Sequence, residues 1–131
     1  MDTSAWAALK NVKDGLHKKA QELNKQLLNS NYSYVTTNFV LDESYTLLLR
    51  KAGHYVAVEL GEEIRKSKIV EVVHISEDIE ERAWLSFKKY SDKSFSFTDC
   101  TSFVVMKELK IKECFTDDIH FQHVGFKKLL N

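Results

Sequence analysis

Ile69-Val70-Glu71-Val72-Val73-His74-Ile75, followed at once by Ser76 and an amphipathic run to about Tyr90, is the stretch that decides the fold. Its β-branched residues suit a pleated, packed strand, and it reads as a central one. Ser76 is a helix-capping residue, so the chain turns directly from strand into helix. The same order appears upstream. Tyr34-Val35-Thr36 is a short β-prone run, and Thr37 or Asn38 caps a helix whose Val40, Leu47 and Leu48 point to the core. Gly53 ends that helix, and another runs from about Tyr55 to Lys66. Downstream, Ser91 to Ser96 is a loop, Thr98 caps a helix to about Leu109, Cys114-Phe115-Thr116 is a short strand, and a last strand lies near Leu129. Strands that alternate with helices predict an α/β fold, a parallel sheet covered on both faces.

The N-terminal part fits this scheme. Met1 to Thr3 reads as the end of a strand, followed by a helix from about Ser4. Val12 to Leu28 carries Leu16, Ala20, Leu23 and Leu27 at helical spacing with lysines opposite, and Asn29 to Asn31 breaks it. With 131 residues, no proline and no linker or repeat, the chain is expected to form one domain over residues 1–131. A hydrophobic content of 44% is enough for a core. Nineteen basic residues balance nineteen acidic ones, which excludes a globally basic nucleic-acid protein but not a basic rim around an acidic pocket. No apolar run approaches the roughly 20 residues that span a bilayer, and a signal-peptide layout is lacking, so a cytoplasmic protein without a membrane is expected. Cys100 and Cys114 sit in apolar stretches with no CxxC pair, and they read as buried, reduced thiols.

Carboxylates stand out at Asp2, Asp42-Glu43, Asp99 and Asp117-Asp118. Asp2 and Asp117-Asp118 follow presumed strands, where open parallel sheets bind ligands. Glu43 and Asp99 fall near the first turns of their helices, where the helix N-terminus favours the ionised form. Converging carboxylates would repel one another unless a hard cation such as Mg²⁺ or Mn²⁺ neutralised them. On spacing alone the plainer reading, helix caps and solvated charges, is the stronger.

The residues around these acids add a resemblance. Met1-Asp2-Thr3-Ser4-Ala5-Trp6 resembles the opening signature of PIN domains. Thr37 to Leu48 resembles the family's second motif, with Glu43 rather than Asp42 as its acid. Ser96-Phe97-Thr98-Asp99-Cys100-Thr101-Ser102-Phe103 resembles the third motif, with Asp99 as ligand. Phe115-Thr116-Asp117-Asp118-Ile119-His120-Phe121, with Val124-Gly125-Phe126, is similar to the C-terminal stretch, and there the family acid falls on Asp118. The four matches come in family order and cover nearly the whole chain.

The resemblance implies a three-layer α/β/α PIN domain with a central parallel sheet. It implies a Mg²⁺-dependent endoribonuclease, with Mn²⁺ as an alternative, of the VapC toxin type found in type II toxin–antitoxin pairs. Asp2, Glu43, Asp99 and Asp118 are then the catalytic, metal-binding acids, and Ser4 and Thr98 would fix carboxylate orientation. Water activated by metal would attack a phosphodiester in line. RNA substrate, a small cognate antitoxin and a homodimer are the implied partners, with Trp6, Leu9 and the apolar residues after Asn38 as the shared surface. PIN domains also carry an apolar first strand ahead of the motif aspartate, whereas only Met1 precedes Asp2. The first strand therefore reads as truncated, and further apolar residues upstream are expected.

A catalytically impaired PIN module that binds antitoxin or RNA without cutting is the competing function. A nucleotide-binding or phospho-receiver domain is a third, opposed by the absence of GxGxxG and GxxxxGK[ST] and of a lysine near Thr116. His120 and His123 have a spacing that could hold metal on a helix, but packing or an edge hydrogen bond is the expected role of His120. Trp84 reads as core or dimer surface, and Asp42 and Asp117 as solvated or capping residues.

Overall fold

The computed structural model describes residues 1–131. The elements are α1 (Thr3–Lys10), α2 (His17–Asn29), β1 (Tyr34–Thr37), α3 (Asn38–Lys51), α4 (His54–Lys66), β2 (Val70–Val73), α5 (Glu77–Lys89), α6 (Phe97–Glu108), β3 (Glu113–Cys114), α7 (His120–His123) and β4 (Lys127–Lys128). β1 pairs with β2 in parallel, from Tyr34 opposite Val70 to Thr37 opposite Val73, and β3 pairs with β4 in parallel.

Side chains alternate across a strand, and the alternation here makes three layers. Tyr34, Val70 and Val72 point toward α1–α4, where Ala5, Ala20, Trp6, Leu48 and Leu60 are buried. Val35 and Val73 point the other way, against Ala83, Phe103 and Phe121 from α5, α6 and α7. Helix α6 is buried along nearly its whole length from Asp99 to Met106, which is why its sequence is apolar or small on every face.

Four sequence expectations need correction. β2 is an edge strand, bonded only to β1, with Glu71 exposed; β-branched composition reports a packed pleat without saying how many neighbours flank it. The helix expected from Val12 starts at His17, because the Asn11 carboxamide oxygen accepts the Lys13 N–H and the Asp14 carboxylate accepts the Leu16 N–H. Such local bonds favour a turn over a helix. Ser96, not Thr98, caps α6: its hydroxyl accepts the Asp99 N–H while the Asp99 carboxylate accepts the Ser96 N–H, each at 3.0 Å. Finally, Met1 and Asp2 are extended without forming a strand, and Thr3 already belongs to α1.

Cys100 and Cys114 are buried free thiols. Burial pushes them up to about 11 and about 12, so both stay protonated at neutral pH.

Candidate active site

Asp2 occupies the N-cap position of α1, yet its carboxylate makes no capping bond to that helix. Instead it accepts the Thr116 hydroxyl at 2.9 Å and the Ser4 hydroxyl at 3.4 Å. Its backbone is fixed by donating to the Phe115 carbonyl at 3.1 Å, so the end of the β3 segment aims the first acid. The Thr116 hydroxyl also accepts the Asp118 N–H at 3.0 Å. One fully buried threonine thus touches both the first and the last acid of the chain.

Asp118 is turned by α7. Its Oδ1 accepts the His120 N–H at 2.9 Å, and the His120 Nδ1 lies 3.1 Å from the same oxygen. His120 Nδ1 is also 3.8 Å from Asp99 Oδ2, and its Nε2 is 3.1 Å from the Ser94 hydroxyl. The imidazole packs edge-on against Phe95, which fixes its plane. Ligand atoms of Asp99, Asp118 and His120 all lie within 4.8 Å of one another.

The electrostatics place Asp2 in the same group. Burial pushes the Asp99 carboxyl up to about 6, the Ser96 N–H opposes it, and the charges of Asp2 and Asp118 add to it. Asp2 is raised as well, by burial first, with the Asp118 charge adding and the Thr3 backbone, Thr116 hydroxyl and Met1 ammonium opposing. No lysine or arginine pairs with these three carboxylates; the Lys/Arg ion pairs, such as Lys10 with Glu59 and Glu63 or Arg82 with Asp78 and Glu108, lie elsewhere. Carboxylates without a lysine or arginine partner, two of the three buried, are a donor set of mainly hard oxygens, with the His120 imidazole beside it, which suits Mg²⁺ or Mn²⁺.

Of the residues picked from sequence, the structure brings together Asp2, Asp99 and Asp118. Asp2 joins them through the Thr116 hydroxyl and through its charge rather than by lying in the 4.8 Å group, whereas Glu43 is exposed on α3, outside that group and without such a link. Ser4 touches Asp2 and also accepts the Asp117 N–H. Thr98 makes no side-chain bond to Asp99; its carbonyl accepts the Thr101 hydroxyl, and Ser96 does the orienting. Asp42 and Asp117 are exposed. Sequence reasoning assigned no role to Ser96 or Thr116; His120 was expected to pack or to hydrogen-bond, and it does both, without its contact to Asp118 having been foreseen. The available signal was position: Ser96 stands three residues before Asp99, and Thr116 and His120 stand two residues either side of Asp118.

The PIN domain profile matches residues 1–127. The chain belongs to the PIN-domain family. It is similar to the 23S rRNA-specific endonuclease VapC20 of Mycobacterium tuberculosis, 41% identical over 127 residues, which is 96% of this chain and 93% of that protein. A VapC ribonuclease of Archaeoglobus fulgidus is 29% identical over 114 residues, 86% of this chain and 72% of that one. The crystal structure of Mycobacterium tuberculosis VapC20, described as a sarcin-ricin loop cleaving toxin, superposes with a TM-score of 0.88. It is 38% identical and covers 99% of this chain and 97% of that one. This PIN domain is a VapC-type endoribonuclease of the toxin class. Trp6 cannot belong to a shared surface, because it is 7% exposed and its indole N–H donates to the Thr36 hydroxyl.

Proposed function

We propose that this toxin cuts 23S rRNA at the sarcin-ricin loop with Mg²⁺ or Mn²⁺ held by Asp2, Asp99 and Asp118. The observation that carries the reading is the meeting of three carboxylates, two of them buried, with no lysine or arginine to balance them and the His120 imidazole alone beside Asp118 and Asp99. The target follows from the relative that shares 41% identity over almost the whole chain. A divalent cation bound there supplies charge neutralisation on the scissile phosphate and lowers the pKa of water. The chain's own groups set the geometry. Ser96 holds the Asp99 carboxylate, the Thr116 hydroxyl holds Asp2, and His120 holds Asp118. Glu43, exposed on α3, would reach the cation only through water. The protein works in the cytoplasm beside its ribosomal substrate and is held in check by a small cognate antitoxin.

A homodimer contact fits the face that carries Trp84 and Phe39, both among the expected candidates, rather than Trp6. Trp84, Leu85 and Phe87 of α5 are 47%, 61% and 40% exposed, and their rings continue through Phe97 to Phe39 at the start of α3. A patch of this kind is a common mark of an interface.

The deciding experiment is cleavage of a sarcin-ricin loop oligonucleotide with Mg²⁺ or Mn²⁺, beside Asp99→Asn and EDTA controls. Cleavage at one position, absent from both controls, supports the reading. Binding without cleavage would instead favour an impaired PIN module, and equal cleavage by the variant would remove the site assignment.

A further inference from the structure

His120 brings a nitrogen donor to the acids. Its Nδ1 lies 3.1 Å from Asp118 Oδ1 and 3.8 Å from Asp99 Oδ2. Around an octahedral cation with bonds of about 2.1 Å, neighbouring ligand atoms stand about 3 Å apart and opposite ones about 4.2 Å. Both separations fall within that span, and ligand atoms of all three side chains lie within 4.8 Å of one another. His123, the other histidine of α7, is exposed and outside the group.

The imidazole is also held at its far side. Its Nε2 is 3.1 Å from the Ser94 hydroxyl, and Phe95 packs edge-on against it with ring centres 5.2 Å apart. A hydroxyl can donate or accept, so Ser94 fits either tautomer of the ring. In the metal-free protein a proton on Nδ1 lies beside two carboxylates, and Nε2 accepts from Ser94. With the proton on Nε2 and donated to Ser94, the Nδ1 lone pair faces Asp99 and Asp118 instead. A lone pair aimed at two carboxylates is repelled by them unless a cation lies between. The tautomer that a cation needs is thus available without turning the ring, because the hydrogen bond on the far nitrogen decides which one is free to ligate.

We propose that, with a cation held as under the proposed function, His120 Nδ1 joins Asp99 and Asp118 as a direct ligand and makes the site prefer Mn²⁺ to Mg²⁺; the assignment rests on that function. Mg²⁺ takes oxygen ligands and gives up its water reluctantly, whereas ions of the first transition row accept imidazole nitrogen. Carboxylate oxygens serve both cations, so the nitrogen is the atom that tells them apart.

The test is pulsed electron paramagnetic resonance of Mn²⁺ bound to the full chain, with calorimetric titrations of Mn²⁺ and Mg²⁺ alongside. A nitrogen hyperfine coupling is expected in the wild type and in His123→Gln, and its loss in His120→Gln. Mn²⁺ should bind the wild type about tenfold or more tighter than Mg²⁺. His120→Gln should lower Mn²⁺ affinity about tenfold or more while changing Mg²⁺ affinity less than about threefold. Bound Mn²⁺ without nitrogen coupling in the wild type overturns the proposal and leaves the acids as its ligands, and that spectrum depends on no variant. An equal loss of both cations in His120→Gln assigns the imidazole to positioning Asp118 and also overturns it. Asp99→Asn separates this proposal from the function beneath it: Mn²⁺ that binds the variant as tightly as the wild type removes the acid site itself, and the His120 ligand with it.

Discussion

Asp99→Asn should abolish RNA cleavage and make the metal-free protein more stable. The isosteric amide keeps an oxygen that can accept the Ser96 N–H, so the capping box survives while the charge is lost. In the wild type the Asp99 carboxyl is pushed from 3.8 up to about 6, first by burial and further by Asp2 and Asp118. A folded-state value above the unfolded one means that the native state binds the extra proton. Stability is then fullest below pH 3.8, falls as pH rises, and levels off above about 6. At 1.36 kcal/mol per pH unit, the ionised carboxylate costs the fold about 3 kcal/mol at neutral pH. The variant recovers about 2–3 kcal/mol of this, because a buried amide also has some desolvation cost.

The size of the effect makes it readable. A domain of this length gains about 3–4 °C in Tm per kcal/mol, so the variant should melt about 7–10 °C higher at pH 8 in EDTA. At pH 3.5 both proteins carry a neutral group there, and the two melting points should coincide. Circular dichroism melts from pH 3.5 to 8 test the sign and the window together. A variant less stable than the wild type at pH 8, or a gap that does not change with pH, would refute the electrostatic account of the site.

Divalent cation should reverse that order. Millimolar Mg²⁺ or Mn²⁺ is expected to raise the wild-type Tm by several degrees at pH 8 and the Asp99→Asn Tm much less, and a scanning-fluorimetry titration measures both. His120→Ala removes the imidazole that holds Asp118 and should weaken metal affinity and cleavage by about 10–100-fold with the fold intact; unchanged cation affinity would assign His120 to packing against Phe95. Trp84→Glu with Leu85→Glu should convert a dimer to a monomer in sedimentation velocity, while Trp6→Phe should not; a dimer that survives the double change places the contact elsewhere.

The layers were legible because local chemistry and burial agree. Thr37 and Ser76 cap the helices that follow their strands, as their sequence positions suggested. α6 announces its burial by lacking any charged residue from Cys100 to Met106. Other features could not be read locally. Nothing in Ile69 to Ile75 distinguishes an edge from a centre, since that depends on what lies beyond β1. The helical spacing of Leu16, Ala20, Leu23 and Leu27 extends one residue before its helix because Leu16 faces the same core from the preceding turn. For the acids, family order pointed to four residues, but side-chain direction separates them: Asp99 is at N3 of a buried helix and Glu43 is on an exposed face.

The deeper reason for that limit lies in Thr116. Its hydroxyl donates to the carboxylate of Asp2, 114 positions away in the chain, and accepts from the N–H of Asp118, two positions away. The Ser4 hydroxyl is 3.0 Å from the same oxygen. These are hydroxyl bonds, which orient carboxylates without cancelling their charge, whereas a lysine or arginine in the same place would do both. A site built this way keeps its negative charge available for a cation at a cost in metal-free stability. The features that make the acids functional are therefore the small neutral residues beside them. Such residues carry no charge pattern, and their role becomes visible only when the ends of the chain are brought together.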